Sequence, residues 1–253
     1  MWALARKNLL AKNLMAIKKV CPQDFNFFPK SWLLPQDAKD FKTQFNTKKA
    51  KTFIVKPEAS CQGKGIFLTR NFEWLQAGEH YVAQRYLHKP YLIDKLKFDL
   101  RIYVLVTGIN PLRAYIYNEG LARFATEVYQ SPLGSNLGDL CMHLTNYAIN
   151  KDSEDFVFNE DPNKDDVGHK RSLRAVFDYI EAHRKSPSDK SSKQIWSEIK
   201  DVIVKTLITG QPHIAHLYRS SKPDDFENSM CFQILGFDIF IDSKSKPWLL
   251  EVN

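Results

Sequence analysis

The sequence of 253 residues is poor in cysteine, and its four cysteines, Cys21, Cys61, Cys141 and Cys231, lie far apart with no CxxC pair. That spacing excludes a zinc knuckle and a small disulfide scaffold, and it predicts reduced thiols. Glycine is also scarce, at 10 residues, and no Gly/Ser linker, low-complexity tract or internal repeat divides the chain. No apolar run approaches a bilayer span, and Met1-Trp2-Ala3-Leu4-Ala5-Arg6-Lys7 lacks the long apolar segment of a secretory signal. A soluble intracellular protein without a membrane partner is therefore expected. The GxxxxGK[ST] phosphate loop is missing, and so are aromatic-rich RNA-binding signatures, which makes nucleic acid an unexpected partner.

What remains is an ordinary globular composition, with 43% hydrophobic, 13% aromatic and 26% charged residues. The length suffices for one or two domains with a sizeable core. The net charge of +7 is unevenly placed, because residues 1–70 hold 14 Lys and Arg against Asp24, Asp37, Asp40 and Glu58. A basic end of this kind attracts polyanions, although a solvated Lys-rich surface has the same composition.

Periodicity predicts an amphipathic helix over 4–20, with Leu9, Leu10, Leu14 and Ile17 on one side. Residues 32–35 read as an irregular apolar passage and 37–45 as a short helix. Strands are expected at 52–56, 65–69 and 81–87, followed by a hairpin of 98–107 and 112–117 around Gly108-Ile109-Asn110-Pro111. Helices are predicted over 172–183 and 195–208, and polar loops over 151–166 and 184–192. A last hairpin pairs 232–242 with 247–252. Interleaved strands and helices make the fold class α+β or mixed α/β.

The last hairpin is the most informative segment. Its turn, Ser243-Lys244-Ser245-Lys246, centres the register between residues 244 and 245, so that Asp238 faces Glu251. Alternation then places Asp238, Glu251 and Asn253 on one face, and Phe237, Ile239, Leu250 and Val252 on the other. Two carboxylates directly opposite each other repel unless a positive charge lies between them. With the Asn253 amide they offer three hard oxygen ligands suited to Mg²⁺; the competing reading is a solvent-facing edge with screened charges. A second polar stripe, Lys97, Asp99 and Arg101, alternates with Phe98, Leu100 and Ile102. Such stripes are more often cross-strand ion pairs on an exposed face. In company with Lys56, Lys64 and Arg123, this one points to a shared oxygen-rich ligand.

The loop Glu58-Ala59-Ser60-Cys61-Gln62-Gly63-Lys64-Gly65 sets two glycines around a lysine between two strands, which lets backbone N–H groups approach phosphate. Alone it is commonly just a glycine-rich turn. His143-Leu144-Thr145-Asn146-Tyr147 reads by itself as a cap or loop, with His143 a satisfied core histidine. No Ser/His/Asp or Cys/His spacing suggests a covalent nucleophile.

Lys56-Pro57, Cys61-Gln62-Gly63-Lys64-Gly65, Lys97-Phe98-Asp99-Leu100-Arg101, Glu119-Gly120-Leu121-Ala122-Arg123, His143-Leu144-Thr145-Asn146-Tyr147 and Leu249-Leu250-Glu251-Val252-Asn253 together resemble the tubulin tyrosine ligase-like family. The likeness covers nearly the whole chain, in family order. The wording of residues 118–126 and of Leu235-Gly236-Phe237-Asp238 is similar to the polyglutamylase branch, and Cys61-Gln62 to members that elongate glutamate chains.

The resemblance implies an ATP-grasp fold, with two mixed α/β subdomains gripping ATP between sheets. Residues 1–51 would be a basic remnant of the amino-terminal region, 52–95 the central subdomain, and 96–253 the carboxy-terminal subdomain with the metal-binding hairpin. The family continues past the position of Asn253, so the chain reads as a truncated product or fragment. The resemblance further implies an ATP- and Mg²⁺-dependent ligase that adds free L-glutamate to glutamate side chains of the acidic tubulin tail, through an acyl phosphate. It would act in the cytoplasm on the cytoskeleton, with the cilium or basal body as a further site. Lys56, Gln62 and Gly63 would meet the nucleotide, Gln84, Arg85, Tyr86 and Leu87 the adenine, Lys97 and Asp99 the base and ribose. Arg101 would sit at the γ-phosphate, with Thr145 and Asn146 also reaching phosphate. Asp238, Glu251 and Asn253 would hold Mg²⁺, and Arg123, Lys170 and Tyr147 the incoming amino acid. The basic pair Arg123 and Lys170 suits a second carboxylate, hence glutamate. The competing readings are an inactive truncated module that binds acidic tails, and a glycylase or tyrosine ligase on the same scaffold.

Overall fold

A computed structural model describes residues 1–60, 62–76, 78–161, 164–227 and 230–253. Cys61, singled out above, lies outside the described residues. In chain order the elements are α1 (Trp2–Ala5), α2 (Lys7–Val20), β1 (Ser31–Leu34), α3 (Ala38–Thr43), β2 (Phe53–Pro57), β3 (Phe67–Thr69), β4 (Tyr81–Arg85), β5 (Leu92–Ile93), β6 (Leu96–Ile109) and β7 (Leu112–Val128). Then follow α4 (Leu140–His143), α5 (Tyr147–Asn150), β8 (Lys170–Ser172), α6 (Leu173–Ala182), α7 (Ser192–Ser221), β9 (Gln233–Ile241) and β10 (Pro247–Val252). No helix among the described residues is long and apolar enough to cross a membrane.

The strands form two sheets, one of four strands in the order β1-β4-β2-β3 and one of six in the order β10-β9-β6-β7-β8, with β5 paired to β6. Every ladder is antiparallel. This is the mixed α/β class expected from interleaved strands and helices. One face of the larger sheet is apolar because alternation places Phe98, Leu100, Ile102, Val104, Phe237 and Ile239 there, where α2, α6 and α7 cover them. The smaller sheet has its own aromatic cluster of Trp32, Phe41 and Phe53, with ring centroids 4.9–5.6 Å apart.

Local signals account for where the helices start. The Ser172 hydroxyl accepts from the Ala175 N–H at the start of α6, and Ser191 with Gln194 closes a reciprocal capping box on α7. α7 runs well past the predicted end at residue 208 and through Pro212. The proline removes one helical hydrogen bond, but Ile214 packs on the core beyond it and carries the helix on. The predicted helix over 4–20 breaks at Arg6, whose backbone is extended at φ −87° and ψ 125°. The break seats fully buried Leu4 against Gly210 of α7, where an added Cβ would meet Leu4 Cδ2 at 2.7 Å.

That contact yields a test of sign. Alanine at an exposed helix position is about 1 kcal/mol better than glycine. Here Gly210→Ala overpacks a buried leucine and is expected to destabilise by about 1–2 kcal/mol in urea unfolding. In a Leu4→Ala background the same change becomes stabilising, since the obstructing side chain is gone; a sign that does not reverse would refute the contact.

Residues 32–35, read as irregular, largely form β1, which pairs with β4 from Ser31–Gln84 to Leu34–Tyr81. Its burial runs almost unbroken, so no alternation betrays it, and its partner strand lies some fifty residues further along. The hairpin over 98–117 is likewise longer than predicted, because β7 continues to Val128 after a bulge opposite Tyr103.

Candidate functional site

The site is built on the face of the larger sheet that the core does not use. On β6, Lys97, Asp99 and Arg101 point away from Phe98, Leu100 and Ile102, as alternation requires. Asp99 pairs in register with Arg123 of β7, and Arg101 with Asp238 of β9, so four charged residues from three strands become neighbours. Both faces of β6 are covered at this point, and the ion pairs join buried aspartates to half-buried arginines rather than lying on an exposed face.

Arg101 grips Asp238 with two bonds, Nε to Oδ1 at 2.5 Å and Nη2 to Oδ2 at 3.0 Å. Arg123 grips Asp99 in the same way, at 2.8 and 2.5 Å, and its Nη2 also lies 2.9 Å from Asp238 Oδ2. Burial opposes the charge on Arg123, but Asp99 and Asp238 more than reverse this and raise its pKa. Arg101 lies over Gly236, where an added Cβ would come within 2.9 Å of Arg101 Cδ and 3.2 Å of its Nε. A side chain at 236 would therefore push the guanidinium off Asp238.

The β9–β10 hairpin pairs Asp238 with Glu251, as its turn predicted, but by a different route. Near the turn the partners are Pro247–Ile241, Trp248–Phe240 and Leu249–Ile239, one residue out of the predicted register. A bulge between Leu249 and Glu251 restores the pairing. The correction falls on Leu250: Leu249 takes the core position, while Leu250 joins Glu251 on the cleft side. Glu251 takes no hydrogen bond or ion pair among the described residues, and Asn253 donates from Nδ2 to Asp238 Oδ2 at 3.3 Å.

The smaller sheet and the segment joining the sheets supply the opposite wall. Lys56, Gln84, Arg85, Tyr86, Leu87, Lys97, Asp99, Arg123, Thr145, Asn146, Asp238 and Glu251 all border one cleft of about 650 Å³, its open mouth included. Lys56 is buried, its pKa lowered by desolvation and partly held up by Glu251. Gln84 is fixed by a 3.0 Å bond to Ser31 Oγ. Arg85 borders the cleft, yet its guanidinium lies 5.6 Å over the Phe53 ring, and its buried Nη1 has no partner among the described residues.

At the cleft floor, Lys97 Nζ donates to the Tyr86 hydroxyl at 3.2 Å and to the His143 carbonyl at 2.5 Å. Burial lowers its pKa to about 7, with Asp99 opposing the shift and Lys56 adding to it. His143 is fully buried, with Nδ1 3.1 Å from Tyr86 Oη and Nε2 3.0 Å from the Asn136 carbonyl, a satisfied core histidine as read from sequence.

Other predicted residues lie beside the cleft. Gln62 is exposed with φ +57°, and Gly63, at φ +84°, packs so closely that an added Cβ would meet Ile149 at 2.7 Å and Asn146 at 3.2 Å. Lys64 is exposed and does not border the cleft, so it does not converge with the other cations. Lys170 pairs with Arg123 along the β7–β8 ladder and sets its Nζ 3.6 Å over the Tyr147 ring, which brings all three of these residues together. Two residues escaped notice: Lys7 Nζ donates to the Ser60 carbonyl, and Asn8 Nδ2 to Glu58 Oε1 at 2.5 Å, so α2 anchors the loop after β2. No spacing signal links positions some fifty residues apart.

The donor set suits a hard cation. Among the described residues there is no cluster of three or more His, Cys, Asp and Glu side chains. Mg²⁺, however, is commonly held by one or two carboxylates with waters and phosphate oxygens, and Asp238, Glu251 and the Asn253 amide oxygen are of the kind that would suit it.

The chain is 57% identical over 255 residues to "Probable beta-tubulin polyglutamylase" of Tetrahymena thermophila, covering all of this chain and 21% of that protein. It is 51% identical to human "Tubulin polyglutamylase TTLL6", over 99% of this chain and 27% of the relative, and 44% identical to "Tubulin polyglutamylase TTLL7" of Xenopus tropicalis, over 100% and 28%. It thus spans about a quarter of the length of these curated relatives. The family model described as "Tubulin-tyrosine ligase family" matches residues 1–253, and the chain belongs to that family.

Proposed function

We propose that the chain is the ATP-grasp core of a ligase that joins L-glutamate to glutamate side chains of acidic tubulin tails, acting on the cytoskeleton and in cilia. The observation that carries this reading is the cleft between the two sheets, where Lys56, Lys97 and Arg123 face Asp99, Asp238 and Glu251, with Arg101 held on Asp238 though not itself bordering the cleft. Cations and carboxylates collected at one narrow place suit a reaction that brings ATP, an acidic acceptor and an acidic amino acid together. The basic segment 1–70 favours encounter with a polyanionic tail, and the relatives' names supply tubulin as the substrate class.

In this chemistry an acceptor carboxylate oxygen attacks the γ-phosphorus and ADP leaves. The amine of the incoming glutamate then attacks the acyl carbon, phosphate leaves, and the amine proton is lost. Lys56, with Gln62 and Gly63, would hold the phosphates; Gln84, Arg85, Tyr86 and Leu87 would line the base, and Lys97 and Asp99 the base and ribose. Arg101, Thr145 and Asn146 would meet the γ-phosphate as charge spreads over its oxygens. Asp238, Glu251 and Asn253 would hold Mg²⁺, which when bound draws negative charge from the phosphate oxygens. Arg123, Lys170 and Tyr147 would orient the amino acid, since a planar guanidinium matches a carboxylate.

The test is ATP-dependent incorporation of labelled glutamate, glycine and tyrosine into microtubules, using the chain alone and the chain joined to the carboxy-terminal remainder of its Tetrahymena relative. Glutamate alone should be taken up; uptake of glycine or tyrosine instead would overturn the amino-acid assignment. In the same assay Gly236→Ala should lower incorporation at least about tenfold, because the added Cβ displaces Arg101. Its thermal midpoint should shift by only a few degrees; undiminished incorporation would remove Arg101 from the γ-phosphate.

A further inference from the structure

Asp238 is over-committed in the free cleft. Its Oδ2 receives Arg101 Nη2 at 3.0 Å and Asn253 Nδ2 at 3.3 Å, and Oδ1 receives Arg101 Nε at 2.5 Å, while Arg123 Nη2 stands 2.9 Å from Oδ2 as a further ion pair. A cation placed on this carboxylate must take lone pairs from the guanidiniums, and at contact distance it also repels them strongly in a buried setting. Cation and arginines therefore compete for one carboxylate.

The competition matters most for Arg123. A guanidinium offers a carboxylate two bidentate edges, Nε with Nη2 and Nη1 with Nη2, and Nη2 has only two hydrogens. In the free cleft one of these goes to Asp99 Oδ2 at 2.5 Å, and Asp238 Oδ2 lies 2.9 Å from the same nitrogen as an ion pair. A substrate carboxylate approaching this nitrogen therefore meets the like charge of Asp238. If the Asp238 charge is taken up by a cation, Asp99 still holds the Nε–Nη2 edge and fixes the side chain, while the Nη1–Nη2 edge is left to a substrate carboxylate beside Lys170, the ladder partner of Arg123.

We infer that Asp238 exchanges partners on loading of the cleft, from Arg123 to the cation of the cation-bound nucleotide, so that the amino-acid carboxylate site is completed only after the nucleotide has bound. This rests on the function proposed above. Asp99 is the permanent anchor of Arg123 and Asp238 the exchangeable one. Binding is then ordered, nucleotide before amino acid, with a positive coupling between the two.

The test is equilibrium dialysis of the chain against labelled L-glutamate under three conditions: no addition, an ATP analogue with an uncleavable β–γ bridge without Mg²⁺, and the same analogue with Mg²⁺. Glutamate affinity should rise at least about tenfold in the third condition only. Equal affinity in all three, or no retained glutamate in any, overturns the exchange. Asp238→Asn weakens the hold on Arg123 without a cation, so the difference between the first and third conditions should shrink below about threefold. An unfolded Asp238→Asn protein, seen by circular dichroism, leaves the comparison on the unaltered chain decisive. Retention without coupling in a chain that incorporates glutamate into microtubules sinks the exchange alone. Coupling seen with labelled glycine or tyrosine, but not glutamate, supports the exchange and overturns the glutamate assignment.

Discussion

Glu251→Gln is expected to lower the rate of ligation by about a thousandfold or more while the protein stays folded. Glu251 accepts no hydrogen bond or ion pair among the described residues, so neutralising it breaks no direct contact of the fold, and the amide fills the same volume. The thermal midpoint should therefore move by no more than a few degrees. What the change removes is one of two carboxylates set opposite each other on β9 and β10. It also removes the largest favourable electrostatic influence on the buried Lys56 ammonium, whose pKa should fall further. Nucleotide affinity in the presence of Mg²⁺ should drop with the rate, and its dependence on Mg²⁺ should flatten. A variant with unaltered turnover would show that this hairpin does not hold the catalytic cation.

The second large effect is a pH dependence at the cleft floor. Lys97 is buried among the Tyr86 hydroxyl, the His143 carbonyl, Asp99 and Lys56, and its pKa is lowered to about 7 against an ordinary 10.5. Below pH 7 it is charged both folded and unfolded, and the native state bears the full cost of a buried ammonium. As pH rises from about 7 towards 10.5, the folded lysine loses its proton while the unfolded one keeps it. The unfolded chain then binds more protons, and this group adds stability with rising pH at about 1.4 kcal/mol per unit, up to several kcal/mol. Lys97→Met should accordingly be more stable than the unaltered protein at pH 6, and the gap should narrow steadily to pH 9 in urea unfolding. Nucleotide binding should run the other way. A protonated Lys97 attracts the anionic nucleotide, so affinity should fall by up to about tenfold per unit as pH rises above 7, and Lys97→Met should be weaker and flat. Affinity independent of pH in the unaltered protein would remove Lys97 from nucleotide recognition.

The legible parts of this site were those carried by local periodicity. Lys97, Asp99 and Arg101 alternate with Phe98, Leu100 and Ile102, and a strand with period two has no other way to arrange them. The facing of Asp238 and Glu251 follows from a four-residue turn, though the turn-proximal register is offset by one and a bulge at Leu250 makes up the difference. The turn length thus led to the right pair and to the wrong side for Leu250. By contrast, β1 was hidden because a strand buried along nearly its whole length shows no alternation, and its hydrogen bonds come from β4. The anchoring of the loop after β2 by Lys7 and Asn8 left no mark, since surface-type residues on a helix look alike whether or not they reach across to another element.

The sequence by itself determined the class of the fold, the two polar stripes and the family, because alternation, turn length and motif order are properties of neighbours along the chain. Only the tertiary structure decided how the charges are shared. Arg101 and Asp238 are separated by 137 residues, and whether they meet depends on β9 docking beside β6 rather than on either segment alone. That docking buries two aspartates against two half-buried arginines, and burial of the carboxylates makes each of them find a partner. It is this requirement, absent from any reading of residues one at a time, that leaves Arg123 engaged in the free cleft and gives Asp238 a partner to exchange.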